Sequence, residues 1–197
     1  MGNKNSELFD YVKGFTCDFD IVTGRSKVAV ATPRTLSQLK NMYADEKAVA
    51  EQLAKGDPTI YEYYEMGAPE DDGEIAIGMS ILHPGKVGDE YHFTRGHFHK
   101  ILATAEAYYC VSGEGYMLIE NPEGDWRALE IRPQHVVYVP KRYAHRSINT
   151  GKTDLVTFFA FGGAAGHDYG TIETKGFRNI CVEVDGKPVF KPNPRWK

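Results

Sequence analysis

From residue 59 onward the chain is cut into short runs, none long enough to give a helix a continuous apolar stripe. The clearest is "EIAIGMSIL", where Ile75, Ile77, Met79 and Ile81 share one face and Gly78 and Ser80 the other. That is the period-2 alternation of a strand whose two faces meet different surroundings. The runs "IYEYYEM", "EAYYCV", "YMLIE", "WRALEI", "HVVYV", "HRSIN" and "LVTFFAF" follow the same scheme, with Gly, Pro and Asn between them. Near the end, "VEVDGKPVF" carries Asp185-Gly186, a strong two-residue hairpin signal. Many short strands punctuated in this way predict an all-β sandwich or barrel, and the version that encloses a ligand-sized volume is a jelly roll. No helix is expected beyond Pro58.

Upstream the pattern differs. Leu36, Leu39 and Tyr43 form a helical stripe, Asp45 is placed to cap a second segment that buries Val49 and Leu53, and Gly56 with Pro58 stops it. The expected organisation is an N-terminal extension (1–58) with short helices packing on a β-barrel (59–197), together one structural unit. A chain of 197 residues is long enough for one full core. The 12 Tyr and 10 Phe suit strands and a ligand pocket better than a helical bundle.

A net charge of -4 provides no general attraction to nucleic acid or to a membrane surface, so neither partner is expected and any anion needs a local site. Cys17, Cys110 and Cys181 are odd in number and lack CxxC spacing, which argues against a disulfide framework or a zinc knuckle and for a reducing compartment. No stretch reads as a membrane span or a secretory leader. "MGNKNS" matches the loose myristoylation pattern at Gly2, but short polar N-termini often do. The expected location is the cytoplasm.

The chemistry concentrates in "RGHFHKILATAEAYY". His97 and His99, two residues apart on an extended segment, share a face. Glu106 opens the next strand-like run, and His145 lies where the chain re-enters a strand after Pro140. Buried imidazoles are costly unless paired or coordinated. Three imidazoles and a carboxylate suit Fe, Zn, Ni, Cu, Co or Mn and leave positions open on a six-coordinate metal. A structural zinc site would more usually be closed by thiolates, and no Cys stands at ligand spacing.

The order His-x-His, Glu106, Gly113, then Pro133, Pro140, His145 and Asn149 resembles the two motifs of the cupin superfamily. The six residues between His99 and Glu106 exceed the common spacing, and Pro133-Gln134-His135 stands where Pro-x-Gly is usual, which makes His135 a non-Gly residue in a glycine turn. More specifically, "HPGKVGDEYHFTRGHFH", "AGHDYGTIETKGF", "NPRWK", "TLSQLKNMYADEKA" and "DPTIYEYYE" resemble the cupin-type, metal-dependent glucose-6-phosphate isomerases of archaea and some bacteria, from about Thr35 to the C-terminus. The resemblance implies a cupin jelly-roll barrel, a glycolytic and gluconeogenic aldose–ketose isomerase, and a homodimer. It implies one divalent metal, Fe(II) first and Mn, Ni, Zn or Co as alternatives, on His97, His99, Glu106 and His145. Sugar-phosphate contacts would fall on Tyr61, Ser80, Thr94, Gly96, Tyr108, His167 and Tyr169. Ser80 stands where Thr is frequent and Arg95 where Lys is frequent.

The residues themselves are compatible with that ligand. Thr94, Arg95 and Gly96 offer a hydroxyl, a cation and an unobstructed amide for an anion. Tyr108 shares the strand parity of Glu106, as does Cys110, so both should point inward. "GHDYG" places His167 and Tyr169 between glycine-bounded turns. Catalytic roles are expected for Glu106, His167 and Tyr169, with Glu106 as ligand, base or both. Two other readings use the same residues: an Fe(II) cupin dioxygenase, and a non-catalytic sugar-binding cupin.

Overall fold

The computed structural model describes residues 5–196, so the myristoylation pattern at Gly2 lies outside the described residues. In chain order the elements are β1 (Thr32–Thr35), α1 (Leu36–Leu39), a 3-10 turn (Lys40–Met42), α2 (Glu46–Leu53), β2 (Thr59–Glu65), β3 (Ile75–Leu82), β4 (Lys86–Val87), β5 (Glu90–Tyr91), β6 (Phe98–His99) and β7 (Glu106–Ser112). They continue as β8 (Gly115–Glu120), β9 (Trp126–Ile131), β10 (Val136–Val139), β11 (Ala144–Asn149), β12 (Leu155–Gly162), a 3-10 turn (Gly163–Ala165), β13 (His167–Asp168), α3 (Gly170–Lys175), β14 (Asn179–Val184) and β15 (Lys187–Pro192).

One wall of the barrel is a six-stranded sheet in the order β1-β2-β3-β12-β7-β10. The opposite wall combines β11-β8-β9, β13-β6 and β15-β14-β5-β4. Antiparallel bridges Phe93↔Ile148 and His97↔His145 join the 90–99 segment to β11. The result is an all-β jelly-roll barrel of the cupin type, whose main core lies between the walls and includes Leu82, Phe93, Met117, Leu118, Ile148 and Phe177.

The alternation in β3 has a concrete meaning. Met79 and Ile81 face outward but are covered by residues of the first 31 positions, where Phe9 and Ala29 pack with Tyr64, Met66 and Val156 into a second apolar cluster. Asn5 fastens this arm, donating to Val30 O and Glu65 O (3.0 and 2.8 Å) and accepting Val30 N–H (2.8 Å). Gly78 and Ser80 therefore face the barrel interior. In the helical segment, Asp45 accepts the Ala48 N–H (2.9 Å) as cap of α2. At the other end, Asp185 and Gly186 have φ of 49° and 73° between β14 and β15, the two positive values that a tight hairpin turn requires.

Two expectations need correction. Helix α3 lies beyond Pro58, where none was expected. It has six residues, one of them a buried apolar side chain (Ile172), too few to produce a periodic signal. Its start is instead fixed by Asp168, which accepts from Thr171 N (3.4 Å) and Thr171 Oγ1 (2.8 Å). In the turn before β10, the left-handed residue is Gln134 (φ 75°) and not His135. His135 Nε2 instead accepts the Arg132 Nε–H at 2.7 Å, away from the barrel mouth.

Asn149 closes the barrel from within. It is fully buried, donates through Nδ2 to Leu82 O (2.7 Å) and Thr153 O (2.9 Å), and accepts Gly151 N–H (2.9 Å). Asn149→Ala leaves these groups without partners, and we expect a loss of about 2–3 kcal/mol in urea denaturation. An unchanged midpoint would show that the side chain does not hold this junction.

Candidate metal centre

Backbone pairing alone brings the histidines together. His97 and His145 are an antiparallel pair that exchange both backbone hydrogen bonds, His97 N–H to His145 O (3.3 Å) and His145 N–H to His97 O (3.1 Å), which sets their rings 4.5 Å apart. His99 stands opposite His167 across β6 and β13, a pair flanked by backbone hydrogen bonds such as Lys100 N–H to Gly166 O (3.3 Å). Glu106 arrives from the opposite wall, at the first position of β7. The ligand atoms of His97, His99, Glu106 and His145 all lie within 4.8 Å of one another, and His99, Glu106 and His145 are buried.

The protonation pattern of these rings can be worked out from their outer contacts. The Thr104 hydroxyl donates to Ile101 O (2.7 Å), so at its 2.8 Å contact with His99 Nδ1 the ring nitrogen must be the donor. His145 Nδ1 faces Tyr143 O (3.4 Å), which can only accept. In the neutral rings both Nε2 atoms therefore carry lone pairs. Those lone pairs face Glu106 Oε2 at 3.0 Å from His99 and 2.9 Å from His145. His145 Nε2 and His97 Nε2 are buried without a hydrogen-bond partner. Lone pairs crowded on a carboxylate oxygen repel unless a cation lies among them. Nδ1 tied to protein oxygens with Nε2 free is the usual arrangement of metal-binding imidazoles. The residues fit a divalent transition metal. Burial pushes the His97 pKa well below the ordinary imidazole value, so this ring offers a lone pair and not a proton.

A pocket opens beside this centre. Of the residues named from the sequence, Tyr61, Ser80, Thr94, Arg95, Gly96, His97, Glu106, Tyr108, His145, His167 and Tyr169 line it. His99 stands behind the others as one wall of a neighbouring cavity. Cys110 points inward but ends in the apolar core and not in the pocket. Sequence reasoning missed Tyr63, Glu65, Ser147, Phe159 and Phe161, which also line it. The parity of Tyr61 on β2 was a signal for Tyr63 and Glu65.

At one end the pocket offers donors. Thr94 Oγ1 accepts Ser147 N–H (3.0 Å), which leaves the hydroxyl proton for a ligand. The Gly96 N–H has no acceptor among the described residues. It belongs to the peptide whose carbonyl, Arg95 O, accepts from Arg146 Nη2 at 2.6 Å, so trans planarity turns the N–H the opposite way. Arg146 is buried between the rings of Phe93 and Phe177, 4.1 and 4.4 Å from their centroids. The Arg95 guanidinium lies 5.3 Å over the Tyr169 ring and pairs with Glu173 (2.9 Å). Across the metal centre, Tyr169 stacks on His167 (5.4 Å, 7°), which is itself 4.5 Å from His97. Burial lowers the His167 pKa and raises that of Tyr169, so both are neutral near pH 7. Burial, with Glu106 next, raises the Tyr108 phenol.

Fold and site together define a cupin barrel with a three-histidine, one-glutamate centre opening on a pocket that combines aromatic walls with hydroxyl, cationic and carboxylate groups. The family model described as glucose-6-phosphate isomerase (GPI) matches residues 33–195. The glucose-6-phosphate isomerase of Thermococcus litoralis is 41% identical over 187 residues, covering 95% of this chain and 98% of that protein. That of Pyrococcus furiosus is also 41% identical, covering 95% and 99%. Among solved structures, oxalate oxidase in complex with glycolate matches 52% of this chain and 49% of its own at 16% identity and a TM-score of 0.43, too distant to bear on the site. The chain belongs to the glucose-6-phosphate isomerase family, whose members named here are aldose–ketose isomerases.

A ligand that binds only the folded state raises the melting temperature. Chelation should lower it and adding Mn(II) or Zn(II) should restore it. In His97→Ala and in His145→Ala the metal-dependent shift and the metal content should both be lost. Unchanged metal content in either variant removes that histidine from the centre.

Proposed function

We propose that this protein interconverts glucose 6-phosphate and fructose 6-phosphate in glycolysis and gluconeogenesis, using one divalent transition metal held by His97, His99, Glu106 and His145. The observation that carries the reading is the pair of imidazole lone pairs facing the Glu106 carboxylate, next to a pocket that ends in free Thr94 and Gly96 donors. The phosphate binds at Thr94, Arg95 and Gly96, with the Tyr61 and Ser80 hydroxyls along the sugar. The other end of the open-chain sugar then reaches the centre, where a bound metal would polarise the oxygens on C1 and C2. Fe(II) is our first choice, and Mn, Ni, Zn and Co suit the same donors.

In the enediol route a base takes the C2 proton, the C1–C2 double bond forms as O1 gains a proton, and O2 then loses its proton as C1 is reprotonated. Glu106 is the carboxylate at this position. Its contacts to His99 and His145 fall on Oε2, which makes Oε1 the atom that moves the carbon proton. His167, neutral at pH 7, and Tyr169, still protonated, pass the proton between O1 and O2, while Tyr108 donates to a sugar oxygen. Hydride transfer between C1 and C2 is the competing route and needs no base.

We further expect, from the family likeness, a cytoplasmic homodimer. The edge strand β10 exposes Val136 and Tyr138 beside Tyr109 of β7, an apolar face suited to a second copy. A single-chain mass in sedimentation would exclude the dimer.

An aerobic coupled assay from fructose 6-phosphate should show activity as purified, lose it on chelation and regain it with one of Fe(II), Mn(II), Ni(II), Zn(II) or Co(II). No activity with any metal removes the isomerase reading, and oxygen uptake in its place moves the protein to the dioxygenases. Glu106→Gln should lose at least about 100-fold in turnover while still binding sugar phosphate. Near-normal turnover in a metal-loaded variant excludes Glu106 as base and favours hydride transfer.

A further inference from the structure

The pocket contains a second carboxylate to which neither the metal centre nor the anion end gives a role. Tyr61, Tyr63 and Glu65 are alternate residues of β2, and all three line the pocket. Tyr61 marks the anion end, because its phenol accepts the Arg95 N–H (3.4 Å). Glu65 lies about 13 Å further along the strand. In the sheet register Glu65 is opposite Gly78, Gly78 opposite Phe159, and Phe159 opposite Tyr108. Glu65 is therefore level with the inner end of the pocket, two residue positions along the sheet from the row that carries Glu106.

That row has a distinctive shape. Gly78 has no side chain, and a Cβ there would fall 2.3 Å from Phe159 Cζ, so the Phe159 ring occupies the place a side chain would take. Phe159 and Phe161 stack at 6.0 Å and 18°. The outcome is a flat apolar platform with a carboxylate at its edge. A platform for C–H groups flanked by a hydrogen-bond acceptor suits a polyhydroxylated carbon chain.

The Glu65 backbone is anchored, its carbonyl accepting from Asn5 Nδ2 (2.8 Å), yet its half-buried carboxylate makes no hydrogen bond or ion pair with any described residue. Burial, and then Glu70 and Glu106, raise its pKa above the ordinary carboxylate value. Such a group is costly without donors, and the hydroxyls of a ligand supply them.

We propose that Glu65 determines specificity in this pocket, its carboxylate accepting hydrogen bonds from hydroxyls of the sugar chain at the end remote from the phosphate. The inference rests on the isomerase reading for the nature of the ligand, and on no step of the chemistry at Glu106. Calorimetry on the metal-loaded protein tests it with two phosphates that cannot turn over: glucitol 6-phosphate, which keeps the hydroxyls, and hexyl phosphate, which lacks them. Glu65→Ala should weaken glucitol 6-phosphate at least about tenfold and change hexyl phosphate by less than about twofold. Glu65→Gln, which keeps one acceptor, should fall between. In steady-state assays KM for fructose 6-phosphate should rise by a larger factor than kcat falls. Equal weakening of both phosphates, or undiminished glucitol 6-phosphate binding, overturns the proposal. A parent protein that binds glucitol 6-phosphate through Glu65 yet never isomerises defeats the isomerase reading alone. One that isomerises but is indifferent to Glu65→Ala defeats the Glu65 proposal alone. A parent that binds neither phosphate overturns both.

Discussion

The site depends on two cross-strand backbone pairs, His97 with His145 and His99 with His167. The first pair exchanges both main-chain hydrogen bonds and the second is flanked by them, so ring positions follow from strand register and not from loop conformation. A one-residue slip would turn His97 and His99 to the other face and empty the centre. Asn149, four residues past His145 on β11, secures that register by joining β11 to the end of β3 and to the turn that leads into β12. The barrel therefore does more than surround the centre. Its hydrogen-bond ladder sets the distances among the ligands, while Glu106, brought from the opposite wall, supplies the negative charge that makes the cluster incomplete without a cation.

Most of this site is legible in the sequence because it is written in short-range patterns. His97 and His99 share a face by strand parity, Glu106 and Tyr108 share one by the same rule, and Thr94 and Gly96 directly precede the first ligand. The apolar alternation of β3 also reads correctly as two-faced. What it cannot say is which face meets the pocket, because both faces are covered, one by the barrel interior and the other by residues between Phe9 and Ala31. For the same reason Glu65 passes unnoticed: an acidic residue at a strand end normally reads as solvated, and its inward direction depends on the pairing of β2 with β3. Helix α3 is missed because contacts from Asp168 to Thr171, and not an apolar stripe, mark its start. Cys110 shows the opposite failure. Parity gives its direction correctly, but the pocket has already closed over core at that height.

Arg146 connects centre and anion end. It follows His145 directly, and its guanidinium is held between Phe93 and Phe177 while it donates to the Arg95 carbonyl. Burial lowers its pKa to about 10, still far enough above neutrality to keep the charge. A buried cation of this kind is a poor source of stability in itself. Its geometric consequence is specific, however, since by gripping one side of the Arg95–Gly96 peptide it presents the other side, the Gly96 N–H, away from itself. Glycine is required there for two reasons: φ is +77°, and a Cβ would lie 2.7 Å from Phe177.

The separation of the two ends gives the pocket a direction. Donors gather at Thr94, Arg95 and Gly96, and acceptors at Glu106 and Glu65, with the aromatic platform of Phe159 and Phe161 beside the acceptors. A ligand with an anion at one end and hydroxyls along its chain can enter in one sense only, because the reverse places its charge against two carboxylates. For a sugar phosphate, orientation set by electrostatics in this way would bring the reacting carbons to the centre without requiring any single residue to recognise them. On the proposed reading, chemistry at the Glu106 end would be coupled to anion binding at the Thr94 end through the length of the ligand, along the span of β2 from Tyr61 to Glu65.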